Sequence, residues 1–151
     1  MHFVQNYDED LARALVQGAD ISINTPIVRD HTSGRRVSTE ACGTSYQKDI
    51  ANGGILISTE DGGVADIAHI AAEMGVPEDF DRPYLQITGN SHNEEVDSLY
   101  GNIQRAAEII RDKGDMTYEE YVKRQTAAFL PLITGSRMVA DYLNLSFPKA
   151  S

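Results

Sequence analysis

The sequence predicts an α/β fold: a parallel sheet flanked by helices, followed by a helical C-terminal region. Three observations predict it. Short apolar runs bounded by Gly and Pro alternate with helix-length segments through residues 1–90, the pattern of strand–helix–strand units. Residues 91–151 carry helical-period apolar stripes preceded by capping signatures. Hydrophobic residues make up 41% and charged residues 24% of the 151, enough for one packed core.

Taken in order, Phe3-Val4 opens as a brief apolar strand. Asp8 to Gln17 places Leu11, Ala14 and Leu15 at helical spacing and stops at Gly18. Ile21-Ser22-Ile23 alternates before Thr25-Pro26 and reads as a second strand. Arg29 to Thr39 is polar and basic around Ser33-Gly34 and reads as a surface loop. Gly43 to Asn52 reads as a helix ended by Gly53-Gly54, and Ile55-Leu56-Ile57 as a buried strand closed by Asp61-Gly62-Gly63. Val64, Ile67, Ala68, Ala71 and Met74 form one face of the next helix, and Tyr84 to Thr88 a less marked fourth strand. Ser91 with Glu94 and Thr117 with Glu120 predict capping boxes for two long helices. Pro131 should kink or end the second, and Arg137 to Leu145 offers a last helix. Four strands are few for a complete α/β domain. The chain reads as one truncated domain, its α/β portion at 1–90 and its helical portion at 91–151.

Charge narrows the function. Asp and Glu outnumber Lys and Arg by 23 to 13, for a formal −10, and the pI is near 4.7. With its basic residues scattered, such a chain repels phosphate backbones and anionic membranes, so neither nucleic acid nor membrane is expected as a partner. The start, MHFVQNYDED, has no basic segment leading into an apolar one, and a cytoplasmic location is the reading. The single cysteine, Cys42, forms no internal disulfide, and His2, His31, His69 and His92 lack ligand spacing, so no metal is expected.

Chemistry concentrates in Glu40 to Gly54. Gly43, Thr44 and Ser45 stand at a predicted helix start, where N–H groups, hydroxyls and the positive dipole end suit a phosphate or carboxylate. Lys48 follows Thr44 by four residues, so both share one helical face. An amine there could be a counter-ion to phosphate, or a Schiff-base lysine for a phosphate-bearing aldehyde cofactor. Glu40 could accept hydrogen bonds from a polyhydroxylated ligand. Spacing alone leaves open that the turn merely caps a helix and binds nothing. Cys42 has no paired base and reads as a small pocket residue rather than a nucleophile. Glu60-Asp61 reads as a solvated turn and Arg35-Arg36 as loop surface.

The segment from Glu40 to Gly53 resembles the cofactor signature of the α-glucan (glycogen, starch and maltodextrin) phosphorylases, Glu-Ala-(Ser/Cys)-Gly-Thr-(Ser/Gly)-x-Met-Lys-x-x-x-Asn-Gly. It matches at Glu40, Ala41, Cys42, Gly43, Thr44, Ser45, Lys48, Asn52 and Gly53. Asn6-Tyr7, Leu11 to Asp20 and Asn24-Thr25-Pro26 are similar to the family's strand–helix–strand before the signature. Ile55 to Gly63 resembles the strand and turn after it, and Arg137 to Leu143 the closing helix. Gln47 replaces the signature's methionine, and Ile27 to Ser38 is longer than the family's usual connection.

The resemblance implies the Rossmann-like C-terminal domain of a GT-B glycosyltransferase that converts α-glucan and phosphate to glucose 1-phosphate. It implies that Lys48 holds pyridoxal 5′-phosphate as a Schiff base, with Thr44 and Ser45 on its phosphate. Glu40, Ala41, Cys42 and Gly43 would line the glucosyl subsite. It also implies partners: a missing N-terminal portion of the enzyme, or a second copy of the chain. Two other readings are a non-catalytic fragment that binds a sugar or a partner subunit, and a nucleotide-sugar glycosyltransferase such as glycogen or starch synthase. The latter enzymes place a second glutamate after seven intervening residues. Lys48 holds that position relative to Glu40, which favours the pyridoxal reading.

Overall fold

The computed structural model describes residues 8–30, 32–39, 44–76, 82 and 84–146. Phe3-Val4 lies outside them. The described elements are α1 (Glu9–Gly18), β1 (Ile21–Asn24), β2 (Ile27–Arg29), β3 (Arg36–Ser38), α2 (Ser45–Asn52), β4 (Ile55–Ser58), α3 (Gly62–Glu73), β5 (Leu85–Gln86), α4 (His92–Ile110), α5 (Tyr118–Phe129) and α6 (Gly135–Ser146). A 3₁₀ turn, Leu130–Leu132, separates α5 from α6 and carries Pro131 at its start. A proline lacks the N–H that would continue an α-helix, which is why α5 stops at Phe129.

β1, β4 and β5 form a parallel sheet in the order β1-β4-β5, with Ile21 opposite Ile55 and Ile57 opposite Leu85. The chain is therefore α/β with a small parallel sheet and a helical C-terminal region, as its pattern predicts. The central strand is buried on both faces, so it reads as a continuous apolar run. Alternation splits its side chains between two layers. Leu56 packs with Tyr46, Ile50, Val64, Ile67 and Phe129 under α2, α3 and the end of α5. Ile55 and Ile57 face the other way, toward Ile87, Ala106, Ile109 and Tyr121. The helix α5 thus joins both layers, its first half packing on one and Phe129 on the other.

Helix starts follow the sequence closely. Asp8 caps α1, accepting from Leu11 N at 2.8 Å. Thr117 and Glu120 form the complete box at α5. At α4 only half the box closes: Ser91 accepts from Glu94 N, whereas the Glu94 carboxylate takes Asn90 N at 2.7 Å. One expectation fails. Arg29 to Thr39 is no open loop, because Ile27–Arg29 and Arg36–Ser38 pair as an antiparallel hairpin. Its turn is built on Asp30, whose carboxylate accepts from Thr32 N at 2.8 Å and from the Ser33 hydroxyl at 2.7 Å; Gly34 turns with φ +67. Another correction concerns Asp61, which is an anchor rather than a solvated turn residue: it accepts the Ser38 hydroxyl at 2.6 Å, tying the hairpin to the start of α3. The partial strand Tyr84 to Thr88 shortens to Leu85–Gln86.

Candidate functional site

A helix that connects two parallel strands runs against them, so α2 begins at the edge of the sheet where the strands end. That edge is where ligands bind in open α/β sheets. Other chain segments converge there. The Thr59 hydroxyl accepts from Ile27 N, and Thr39 N donates to Pro26 O at 3.0 Å. The Thr39 hydroxyl donates to the same carbonyl.

The inner face of α2 is fixed. Tyr46 and Ile50, one turn apart, are buried in the larger core cluster. Flanking Tyr46 on the side away from Ile50 lies Asp49, also buried, whose carboxylate accepts from the Ser22 hydroxyl of β1 at 2.8 Å. Burial pushes this carboxyl above its ordinary range, and the Ser22 hydrogen bond opposes the shift only in part. The helix end is fixed as well. Gly53 turns with φ +77, its N–H donating to Ile50 O while Gly54 N donates to Asp49 O at 3.0 Å. These two bonds make a Schellman-type stop. The positive φ favours glycine, and a Cβ there would also sit a tight 3.2 Å from Val122 of α5. Asn52 donates to the Lys48 carbonyl at 2.7 Å, and the Tyr118 hydroxyl donates to Gly53 O at 3.0 Å.

The outer face is different. Thr44, Ser45 and Lys48 are exposed. Thr44 stands at the N-cap but gives the helix no side-chain hydrogen bond, and the first turn contains no acidic residue. Among the described residues, none engages the Lys48 amine. By contrast α1, α4 and α5 each start with a capping side chain and acids in the first turn. The start of α2 thus offers two hydroxyls and an ammonium within one turn, at the positive end of a dipole whose first turn carries no carboxylate.

Of the residues predicted for the site, the fold brings together Thr44, Ser45 and Lys48. Glu40, Ala41, Cys42 and Gly43 lie outside the described residues. Sequence reading missed the Ser22–Asp49 pair: a charged residue in an amphipathic helix signals solvent, and its partner is distant in the chain. Among the described residues no cluster of three His, Cys, Asp or Glu side chains could hold a metal ion, and no helix is long and apolar enough to cross a membrane.

No protein-family model matches the chain. Individual proteins do. The glycogen phosphorylases of Mycobacterium tuberculosis and Mycobacterium bovis are each 28% identical to it over 160 aligned positions, covering 99% of this chain and 16% of theirs. The glycogen phosphorylase of Aquifex aeolicus is 25% identical over 154, covering 97% of this chain and 20% of its own. The chain spans between 16% and 20% of the length of the curated relatives it matches. Along almost its whole length, and not only at Glu40 to Gly53, this chain is similar to one stretch of the glycogen phosphorylases.

Proposed function

We propose that this chain forms one wall of the catalytic cleft of an α-glucan phosphorylase, with a GT-B C-terminal-domain fold. The reaction moves a glucosyl unit from the glucan's α-1,4 linkage to inorganic phosphate, giving glucose 1-phosphate and a shortened chain. The observation that carries this reading is the division of α2. Asn52, Gly53 and Ile50 have structural duties, whereas the matched residues Thr44, Ser45 and Lys48 are left to face outward at the sheet's ligand edge.

These residues fit pyridoxal 5′-phosphate by their donor chemistry. A primary amine suits an aldehyde, and hydroxyls at an uncapped helix start suit a phosphate dianion. When bound, that cofactor would supply through its phosphate a proton donor and acceptor for the attacking inorganic phosphate. Lys48 would hold it covalently, and Thr44 and Ser45 would orient its phosphate. Glu40, Ala41, Cys42 and Gly43 would line the glucosyl subsite, with Glu40 accepting from a sugar hydroxyl. The hydrogen bond from Ser22 to the buried Asp49 ties α2 to β1, and would help to fix the direction in which Lys48 leaves the helix.

Two measurements test the reading. Incubation with pyridoxal phosphate, borohydride reduction and peptide mapping should place the label on Lys48, and Lys48→Ala should abolish it. Label spread over surface lysines, unaffected by that substitution, overturns the assignment. The 151-residue chain saturated with cofactor should release no measurable glucose 1-phosphate from glycogen. Orienting both reactants can supply about 7–11 kcal/mol of barrier lowering, and it needs groups on both sides of a cleft. Robust turnover would show that one wall suffices.

A further inference from the structure

The apolar surface that the fold leaves uncovered gathers on α6. This helix is held to the body at its start, where Arg137 donates to Leu132 O at 2.8 Å and Leu132 is buried in the larger core cluster. From Met138 to Leu143 every residue is exposed. Met138, Val139, Tyr142 and Leu143 are 53%, 52%, 61% and 54% exposed, enough for each to offer most of one side to a partner. Met138 with Tyr142, and Val139 with Leu143, stand one turn apart, so the four make a single stripe. Arg137 and Asp141 lie on the opposite face and pair with each other at 3.3 Å. The stripe itself carries no charge. A helix of 12 residues is marginal in water without a packed face, so this one needs a cover.

The chemistry of the stripe selects that cover. With no cation on it, the stripe attracts neither a phosphate backbone nor an anionic membrane. Two copies of a chain with a formal charge of −10 repel each other over most of their surface. On α6 they need not, because its two charges cancel within the helix and stand away from the stripe. A second α6 is also the right shape. An antiparallel pair about a two-fold axis, centred between Ala140 and Asp141, sets Met138 of each copy against Leu143 of the other, and Val139 against Tyr142. Every large side chain of the stripe then meets a large apolar partner, and Arg137 and Asp141 stay in water. The four side chains offer roughly 400 Å² per copy, so pairing removes roughly 800 Å² in total, below the roughly 1,000 Å² of a stable interface.

We infer that α6 is a dimerisation helix, through which two copies of this chain pair antiparallel, weakly and reversibly. Pairing gives the helix the packed face it lacks alone, so self-association and helix order at 138–143 rise together. The contact lies at the far end of the chain from α2 and uses none of Thr44, Ser45 and Lys48.

Sedimentation velocity of the 151-residue chain, over about three decades of concentration up to about 0.5 mM, tests this. The mass should move from monomer towards dimer, and amide hydrogen exchange at 138–143 should slow over the same range. Val139→Glu and Leu143→Glu each put a carboxylate into the stripe, and should weaken the dimer by at least about tenfold. Both positions are exposed in the single chain, so the monomer should melt as the parent does. Met74→Glu, at a 64% exposed position beyond the end of α3, removes as much exposed apolar surface elsewhere and should leave the dimer unchanged. A monomer at every concentration would mean that the stripe serves another partner, and overturns the proposal. So does a dimer that survives both α6 substitutions, or one that Met74→Glu dissolves equally well.

Discussion

The two faces of α2 separate what folds the chain from what the chain offers to a ligand. On one face Tyr46, Asp49 and Ile50 are buried, and Gly53 closes the helix against Val122. On the other, Thr44, Ser45 and Lys48 are exposed at a helix start that lacks both a capping side chain and an acid. The start of α5 is closed instead: Thr117 and Glu120 satisfy each other's backbone N–H groups. The difference teaches that in α2 the residues that hold the helix in the fold and those left open at its start are separate sets, so substitutions can address one without the other. Predictions that move the two faces independently can break this reading or sharpen it.

The largest effect should come from the buried face. Ile50 is completely buried among Leu56, Val64 and Phe129. Ile50→Ala removes apolar burial and leaves a cavity, so it should cost about 2–5 kcal/mol in chemical denaturation. Lys48→Ala, two residues earlier, should change stability by less than about 0.5 kcal/mol while abolishing cofactor labelling. Equal stability losses from the two substitutions would mean that Lys48 has a packing role and that the faces are not separable.

An intermediate effect, with a characteristic pH signature, is expected at Asp49. Burial raises its carboxyl pKa in the folded chain above the unfolded value of 3.8. Between those two values the native state binds more protons than the unfolded state, so this group's contribution falls as pH rises through the window and stays low above it. Asp49→Asn keeps an oxygen to accept from Ser22 and removes the buried charge. At neutral pH the variant should melt no lower than the parent, by up to a few degrees higher. Its advantage should shrink as pH falls through the native pKa. A constant loss of stability at every pH would show instead that the carboxylate charge itself is needed by a partner.

Much of this organisation was legible in the sequence, for identifiable reasons. The helices α4 and α5 were readable because apolar periodicity and capping residues coincide, α3 from its periodicity alone, and the stop at Gly53-Gly54 because a positive φ demands glycine. Periodicity placed α1 correctly but not its buried face. Leu15 is 45% exposed, and Ala12 takes the inner position. The hairpin was unreadable because its second strand is exposed at all three residues, so it has no buried face to impose alternation; backbone pairing and the Asp30 turn hold it instead. At the site, the Thr44–Lys48 face followed from spacing alone. Asp49 did not, since its burial depends on Ser22 reaching it across the fold.

The smallest effect is the sharpest test of the comparison, because it sets two threonines at the same nominal position against each other. Thr117→Ala removes a side chain that accepts from Glu120 N at 3.2 Å, and should cost about 1 kcal/mol. That loss should also depend on pH. Hydrogen bonds from the Thr117 N–H and hydroxyl hold the Glu120 carboxyl below its ordinary value, so its contribution is present above that value and disappears as pH falls through the lowered one. The variant should therefore approach the parent in acid. Thr44→Ala breaks no capping bond, and should stay within about 0.5 kcal/mol of the parent at every pH. Its effect should appear only with cofactor: retention of pyridoxal phosphate should weaken by roughly 2–10-fold, the worth of one hydrogen bond to a phosphate oxygen. If Thr44→Ala instead costs as much stability as Thr117→Ala and leaves cofactor retention unchanged, the start of α2 is an ordinary cap. Lys48 would then be merely an exposed lysine on a well-packed helix.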